Sequence, residues 1–430
     1  MKFSVMVEGF MKAIDAAASA ATKSSLKDFP EGERMTISAT KENMVVSAFG
    51  GRLGIKTVVS NDSFVNLNYQ HTNDGKVTVN AKDLVRVLES FIPEETVILK
   101  TKKNSKDNNI VNELYVMMSD DEEQYQTLPC YDSDVNLPEK ASNFVKTIEM
   151  DKNTLIYGIS KVMFAAGQEQ TKPLYLNMSL ATAVDSIKFS AGTGSRHAIL
   201  SVDGKNIVKS TPKKASILIP KDTLGILTHI LSNAVSETVF VKESNKKDGA
   251  PFQVVIESGE QEIMLVGLDS SLKWVDESKL LNAKYPNRMI TRISDWAYAS
   301  KGTFATFDHK LKKEGKVHKA YLNVDLTKNH IVVKTNEAMR SSRKIPIIDH
   351  EFEDDGECDY ICVSSYLHEM TSIAKEDGGF IQIELIGATK PIVVYYHAGK
   401  ELVDSDDIKK EDDGVGFSEK LIIFFGTHTS

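Results

Sequence analysis

SILIPKDTLGILTHILSNAVSETVFVK, residues 216–242, reads as a short β-rich run, a polar break, one amphipathic helix, a turn and an alternating strand. The same order returns in VTVNAKDLVRVLESFIPEETVILK at 77–100 and in YICVSSYLHEMTSIAKEDGGFIQIELIG at 360–387. The copies start roughly 140 to 145 residues apart, far longer than any solenoid period. A second pattern leads two of these units: KFSVMVEGFMKAIDAAASAA from Lys2 and KTIEMDKNTLIYGISKVMFAA from Lys146. At about 150 residues per domain, a chain of 430 residues with this spacing is three similar domains, each built from two similar halves. The breaks fall at 1–142, 143–293 and 294–430.

Within the first unit a strand is expected near 2–7, a helix over about 8–21, and strands at MTISAT and NMVVSAF. The helix from Ala81 to Phe91 sets Leu84, Val85, Leu88 and Phe91 on one stripe, the spacing of a core-facing helix, and Pro93 ends it. Lys82 and Arg86 lie one turn apart on another face. The opening of the third unit, SDWAYASKGTFATFDHKLKKEGK, is the least regular stretch and shows no clear helix, although AYLNVDL and HIVVKT after it read as strands. The fold class is α+β: long antiparallel sheets with about one helix per half-domain packed on one side.

Composition is that of an ordinary globular chain, with 41% hydrophobic and 26% charged residues. No stretch approaches the roughly 20 apolar residues of a membrane span. Glu8, Lys12 and Asp15 interrupt any signal-like apolar core at the start. Three cysteines, Cys130, Cys358 and Cys362, make no disulfide framework, which suits a reducing cytoplasm. The net charge of −8 argues against a nucleic-acid partner only on average. Acids crowd into SDDEEQ, EFEDDGE and ELVDSDDIKKEDD, while lysine and arginine occupy the polar faces of the expected helices.

Enzymatic signatures are fragmentary. Ser24 and Lys27 have Ser–Lys hydrolase spacing but lack companion motifs. AGTGSR at 191–196 lacks the G-K-[ST] of a phosphate loop and reads as a strand-to-strand turn. Cys358 and Cys362, flanked by the distant His350 and His368, make a poor zinc set. No catalytic residue, metal or cofactor is expected.

Three segments, TIEMDKNTLIYGISKVMFAAGQEQTKPLYLNM, AGTGSRHAILSV and SILIPKDTLGIL, follow in order and spacing the central domain of a known family. LVGLDSSLKWVDESKLLNAKYPNRMI and QYQTLPCYDSDVNLPE resemble two further stretches of it. The chain resembles the bacterial DNA polymerase sliding clamp, the β-type processivity factor, as a divergent or bacteriophage-encoded member. The resemblance implies a homodimeric ring of six domains, sheets outside and helices lining a central hole that holds double-stranded DNA without reading its sequence. Three repeats in one chain imply a dimer rather than a trimer of two-domain chains. Its implied partners are a replicative DNA polymerase and a clamp loader, and no membrane.

By the same resemblance, Lys82, Gln170, Tyr175 and Lys221 match DNA-facing positions. Lys23, Lys27 and Lys172 lie nearby with the right charge, and Arg86 and Lys161 add basic groups on the same helices. Leu176, Gly194, Arg196 and Pro286 match a groove that accepts the linear peptide of partner proteins, and Ile423 and Phe424 occupy the place of its apolar tail strand. Where the family has Asp-Gly-His-Arg-Leu, this chain has Thr193, Gly194, Ser195, Arg196 and His197. A histidine in place of a groove leucine implies a more polar pocket. The rival reading is a β-rich structural assembly protein with internal repeats and no DNA-encircling role.

Overall fold

The computed structural model describes the chain apart from residues 22–29, 65, 104–111, 119–123, 168–171, 184–185, 204–206, 246–251, 279–285, 306–318, 337–339, 353–356, 364–366, 369–370, 372–378, 386–391, 398–418 and 426–430. Its main helices are α1 (Val7–Ala20), α2 (Ala81–Leu88), α3 (Lys152–Val162), α4 (Lys221–Ser232) and α5 (Ile293–Ala305). Each follows directly on a strand: Lys2–Met6, Gly75–Asn80, Phe144–Asp151, Ser216–Pro220 and Asn287–Arg292 respectively. None of the described helices is long and apolar enough to cross a membrane.

The strand-to-helix step is fixed by local chemistry. Asn80 caps α2, its side chain accepting from the backbone N–H groups of Lys82 and Asp83 at 3.0 and 3.2 Å. Asp151 does the same before α3, accepting from the Thr154 N–H at 2.9 Å. A second tie repeats along the chain. The first N–H of α1, from Val7, donates to the Glu95 carbonyl at 2.9 Å. Lys152 of α3 donates to Glu237 at 2.7 Å, and Ile293 of α5 to Gly379 at 3.1 Å. Each acceptor immediately precedes the strand that opens the far side of its repeat (Thr96–Lys103, Thr238–Ser244, Phe380–Leu385). An otherwise orphaned helix-terminal donor is thereby satisfied the same way in all three repeats.

Two expectations are corrected. Helix α2 stops at Leu88 rather than Phe91: Ser90 and Phe91 bond three residues back, to Val87 and Leu88, in a tightening turn ahead of Pro93. The opening of the third repeat is a helix, α5. Ile293, Trp296, Ala299 and Ser300 form its buried stripe, and the Trp296 indole donates to Thr291 Oγ1 at 2.6 Å. Small residues on the remaining faces dilute the apolar pattern in the sequence. The helix expected inside the third repeat falls largely outside the described residues.

Contacts divide the chain into two compact units, Met1–Ile156 with Ile207–Leu272, and Tyr157–Asn206 with Lys273–Ser430. In the first, one sheet of five strands runs from Gln70–Asn73 to the edge strand Tyr125–Pro129. The other sheet joins strands of two repeats, because Gln261–Leu265 pairs antiparallel with Leu53–Val59 in the register Gln261↔Thr57 to Leu265↔Leu53. In the second unit, the C-terminal strand Glu419–Phe425 pairs with Arg196–Asp203 on one side and Ile392–His397 on the other. The last strand of one repeat is thus spliced to the first half of the repeat before it, twice over. Each compact unit is organised around one splice, which is why the middle repeat contributes a half to each. The first unit's core is filled by Phe3, Phe10, Ile14, Met35, Ile37, Met44, Ile55, Leu67 and Leu84, all fully buried. Burial of such side chains contributes about 1.5–3 kcal/mol each.

Candidate functional site

In the first unit, Lys82 is exposed on the first turn of α2, its backbone held by the Asn80 cap. Arg86, one turn on, is exposed and lies 3.5 Å from Asp83. An exposed pair of that kind is worth well under about 1 kcal/mol, so its guanidinium can exchange partners. Lys221 opens α4 and is half-buried. Acids nearby are tied up: Asp15 of α1 accepts from His229 Nε2 of α4 at 2.8 Å and from Nδ2 of Asn233, the residue after α4, at 2.9 Å. Asp222 accepts from Arg52 at 2.8 Å.

In the second unit, Lys172 is exposed and Tyr175 half-buried in the 3-10 turn Pro173–Leu176. That turn is anchored by the Gly167 N–H donating to the Tyr175 carbonyl at 2.7 Å. Lys161 departs from expectation: it is 5% exposed, its ammonium 5.1 Å from the centre of the Tyr157 ring. A buried lysine whose charge rests on an aromatic face is not free to meet a phosphate, and it leaves the set. Lys23, Lys27 and Gln170 lie outside the described residues, as does Ser24.

The residues expected to frame a groove belong to the second unit. Strands Ser186–Gly192 and Arg196–Asp203 are joined by a tight turn in which Thr193 Oγ1 accepts from the N–H groups of Ser195 and Arg196, each at 3.2 Å. Gly194 sits exposed at its tip. The half-buried Arg196 donates to the Ala166 carbonyl at 3.4 Å. Leu176 and Pro286 are half-buried, ending the 3-10 turn and preceding strand Asn287–Arg292 respectively. In the backbone register, Phe424 pairs with His197 and Ile423 with Ala198, so the tail strand lies directly beside the turn-bearing strand.

His197 is no open polar floor. It is buried, and its Nε2 lies 2.8 Å from Oε1 of the equally buried Glu277. Glu277 Oε1 also accepts from the Trp274 indole at 2.7 Å, and Lys188 lies 3.4 Å from its other oxygen. The Trp274 and His197 rings are 5.7 Å apart, tilted by 38°. Gly192, paired with His197 across the hairpin, makes the arrangement possible: a Cβ there would lie 2.1 Å from His197 Nδ1. Burial acts to raise the Glu277 carboxyl, but hydrogen bonds from His197, Trp274 and Ser190 outweigh it and hold the group below the usual carboxylate range. Sequence reasoning found His197 and missed Glu277, Lys188 and Trp274. The one available signal was that Trp274 is one of only two tryptophans in the chain.

The cysteines offer no activated nucleophile among the described side chains. Cys130 is buried, and burial pushes its thiol up to about 12. Cys358 and Cys362 lie in strand Glu357–Val363, whose side chains are outside the described ones.

No protein-family model matches this chain, and no curated protein sequence does. Solved structures do. The β subunit from DNA polymerase of Streptococcus pyogenes superposes with a TM-score of 0.75 at 14% identity, covering 100% of both chains. The DNA polymerase sliding clamp from Bacillus subtilis gives 0.75 at 14%, covering 100% of this chain and 99% of that one. The DNA polymerase III β subunit from Thermotoga maritima gives 0.72 at 14%, with the same coverage. The fold over the whole length is therefore that of the sliding clamps, an α+β architecture of antiparallel sheets with few helices.

Proposed function

We propose that this chain, which has the sliding-clamp fold from end to end, is a non-enzymatic DNA polymerase processivity factor. It closes as a homodimer around double-stranded DNA in the cytoplasm of a bacterial or phage-infected cell. The observation that carries this reading is the whole-chain likeness to DNA polymerase clamps. Three clamp modules, taken as residues 1–142, 143–293 and 294–430, are supported in number by the helix-to-strand tie repeated at Val7, Lys152 and Ile293; because strand Asn287–Arg292 leads α5 as Lys2–Met6 leads α1, the second break belongs ahead of Asn287.

Topology rather than affinity keeps such a ring on DNA, so its contacts need only be weak and sequence-blind. Exposed lysines on short helices suit that role, since an ammonium meets phosphate as a point charge and releases counterions without reading bases. The DNA-facing residues are Lys82, Arg86 and Lys221 in the first unit and Lys172 and Tyr175 in the second; Lys23, Lys27 and Gln170 are assigned the same role from the resemblance alone. Arg52 pairs with Asp222, so the carboxylate next to Lys221 is locally neutralised where a polyanion would approach.

Leu176, Gly194, Arg196, His197, Pro286, Ile423 and Phe424 frame the groove for a partner peptide of the polymerase or clamp loader. Apolar anchors in such a groove contribute about 1.5–3 kcal/mol apiece.

Retention on DNA tests the proposal. Protein assembled on a closed circle should remain bound through gel filtration at moderate salt and leave within minutes once a restriction enzyme linearises the circle. Equal retention on circular and linear DNA would favour a β-rich assembly protein instead.

A further inference from the structure

We propose that residues 131–143, the connection between the first two repeats, form a locked strap that joins those repeats into one stiff body, with Lys140 as its latch. The inference rests on contacts within the first compact unit and stands independently of the clamp reading.

A connection between domains is ordinarily exposed and loosely held. This one is bonded on both sides of the splice between Gln261–Leu265 and Leu53–Val59. On the first repeat, the Tyr131 N–H donates to the Thr78 carbonyl at 2.8 Å and the Val135 N–H to Thr36 Oγ1 at 2.9 Å. At the splice itself, Leu137 and Pro138 lie over Gly54, where a Cβ would come within 3.3 and 3.6 Å of their side chains. On the second repeat, one side chain grips the strap twice. Gln253 is fully buried; its Oε1 accepts from the Ala141 N–H at 3.0 Å and its Nε2 donates to the Glu139 carbonyl at 2.6 Å. Its own N–H donates to Ser244 Oγ at 2.8 Å, and its carbonyl accepts from the Ser244 N–H at 2.9 Å. Release of the strap would strip partners from both ends of a buried amide, which makes release costly.

Lys140 lies between the two gripped peptide groups and closes the strap electrostatically. Glu257 and Glu262 are directly paired across adjacent strands, a like-charge arrangement that is destabilising unless a cation intervenes. Lys140 Nζ supplies that cation, donating to Glu257 Oε1 at 2.9 Å and to Glu262 Oε2. Lys242 holds the other oxygen of Glu257 at 2.5 Å, and the exposed Lys56 pairs with Glu262 from the far side. Burial works against both charges, yet the hydrogen bonds outweigh it. They hold the Lys140 ammonium above, and the Glu257 carboxyl below, their usual ranges. Both carboxylate side chains are only 24% exposed, so water screens the bridge less than it screens a surface ion pair. In the ring proposed above, the first and second repeats would then move as one arm.

Hydrogen–deuterium exchange of the full-length protein, read on peptic fragments covering 131–143, tests the lock. In the wild type the strap amides should exchange about 100-fold more slowly than in a synthetic peptide of the same sequence. Lys140→Gln should speed exchange at 139–143 about tenfold while leaving strand Thr96–Lys103 unchanged, and Lys140→Arg should keep the protection. Adding Glu262→Gln to Lys140→Gln should recover part of the protection, since one carboxylate of the repelling pair is then neutral. Sodium chloride at about 1 M should act in the direction of Lys140→Gln. Gln253→Leu should open the same segment, and if that variant fails to fold, the exposed Lys140 variants still decide. Wild-type exchange as fast as that of the free peptide, or a Lys140→Gln variant indistinguishable from the wild type, would overturn the inference. No DNA is present in this measurement, so its failure leaves the clamp reading standing, and loss of retention on circular DNA leaves the strap standing.

Discussion

Glu277 gathers polar contacts from His197, Trp274, Lys188 and Ser190, and its removal has a definite pH signature. With its carboxyl held below the unfolded value of about 4.3, the stabilisation it supplies is complete above that pH. It is lost as pH falls through the folded value. Glu277→Gln should therefore destabilise the protein by about 1–3 kcal/mol at neutral pH. In urea melts, the gap to the wild type should narrow steadily below about pH 4. A gap that is constant from pH 7 to pH 3 would mean that the charge contributes nothing. Gly192 gives a steric counterpart. Because an added Cβ would collide with His197 Nδ1, Gly192→Ala should cost about 1–3 kcal/mol and displace the imidazole, visible as a shift of its ring protons in NMR spectra. Sequence analysis singled out His197 through a motif departure. Its partner was not legible, since Glu277 lies 80 residues away and only the chain's return across the sheet makes them neighbours.

At the scale of elements, the helices separate intrinsic propensity from packing. Gly225 is exposed in the interior of α4, and a Cβ there would meet nothing within 4 Å. Gly225→Ala should stabilise by about 0.5–1 kcal/mol through reduced backbone entropy alone. Gly158 sits within α3, where a Cβ would come within 2.4 Å of the buried Phe189 ring. Gly158→Ala should instead destabilise by about 1–3 kcal/mol despite the same gain in propensity. Thermal melts of the two variants should move in opposite directions, and movement in the same direction would contradict the close helix–sheet approach. Both glycines look alike in the sequence. The strand–break–helix order was legible wherever alternation and the 3.6-residue stripe were strong, as around Leu84 and Leu224. It failed at α5, whose buried stripe rests on one tryptophan among small residues, so that tertiary burial of Trp296 rather than periodicity settles the element.

For the molecule as a whole, the DNA proposal predicts a salt law. Lys82→Gln and Lys221→Gln should each weaken DNA association to a similar degree on unrelated sequences. Each should also lower the slope of log affinity against log salt by about 0.9 if its ammonium meets one phosphate. Lys161→Gln should leave that slope unchanged, because its ammonium is buried against Tyr157. A change of slope for Lys161, or none for Lys82, would require the DNA-facing surface to be redrawn.

The sequence by itself determined that strands and single helices alternate in a thrice-repeated order, because hydrophobic period, caps such as Asn80 and breakers such as Pro93 act over a few residues and are written locally. Tertiary structure alone decided the rest. The pairing of Gln261–Leu265 with Leu53–Val59, and of Glu419–Phe425 with Arg196–Asp203, depends on strand edges and registers that no short segment encodes. The same holds for the burial of Lys161 and for the closing of His197 onto Glu277, since each energy arises only when distant segments exclude water together.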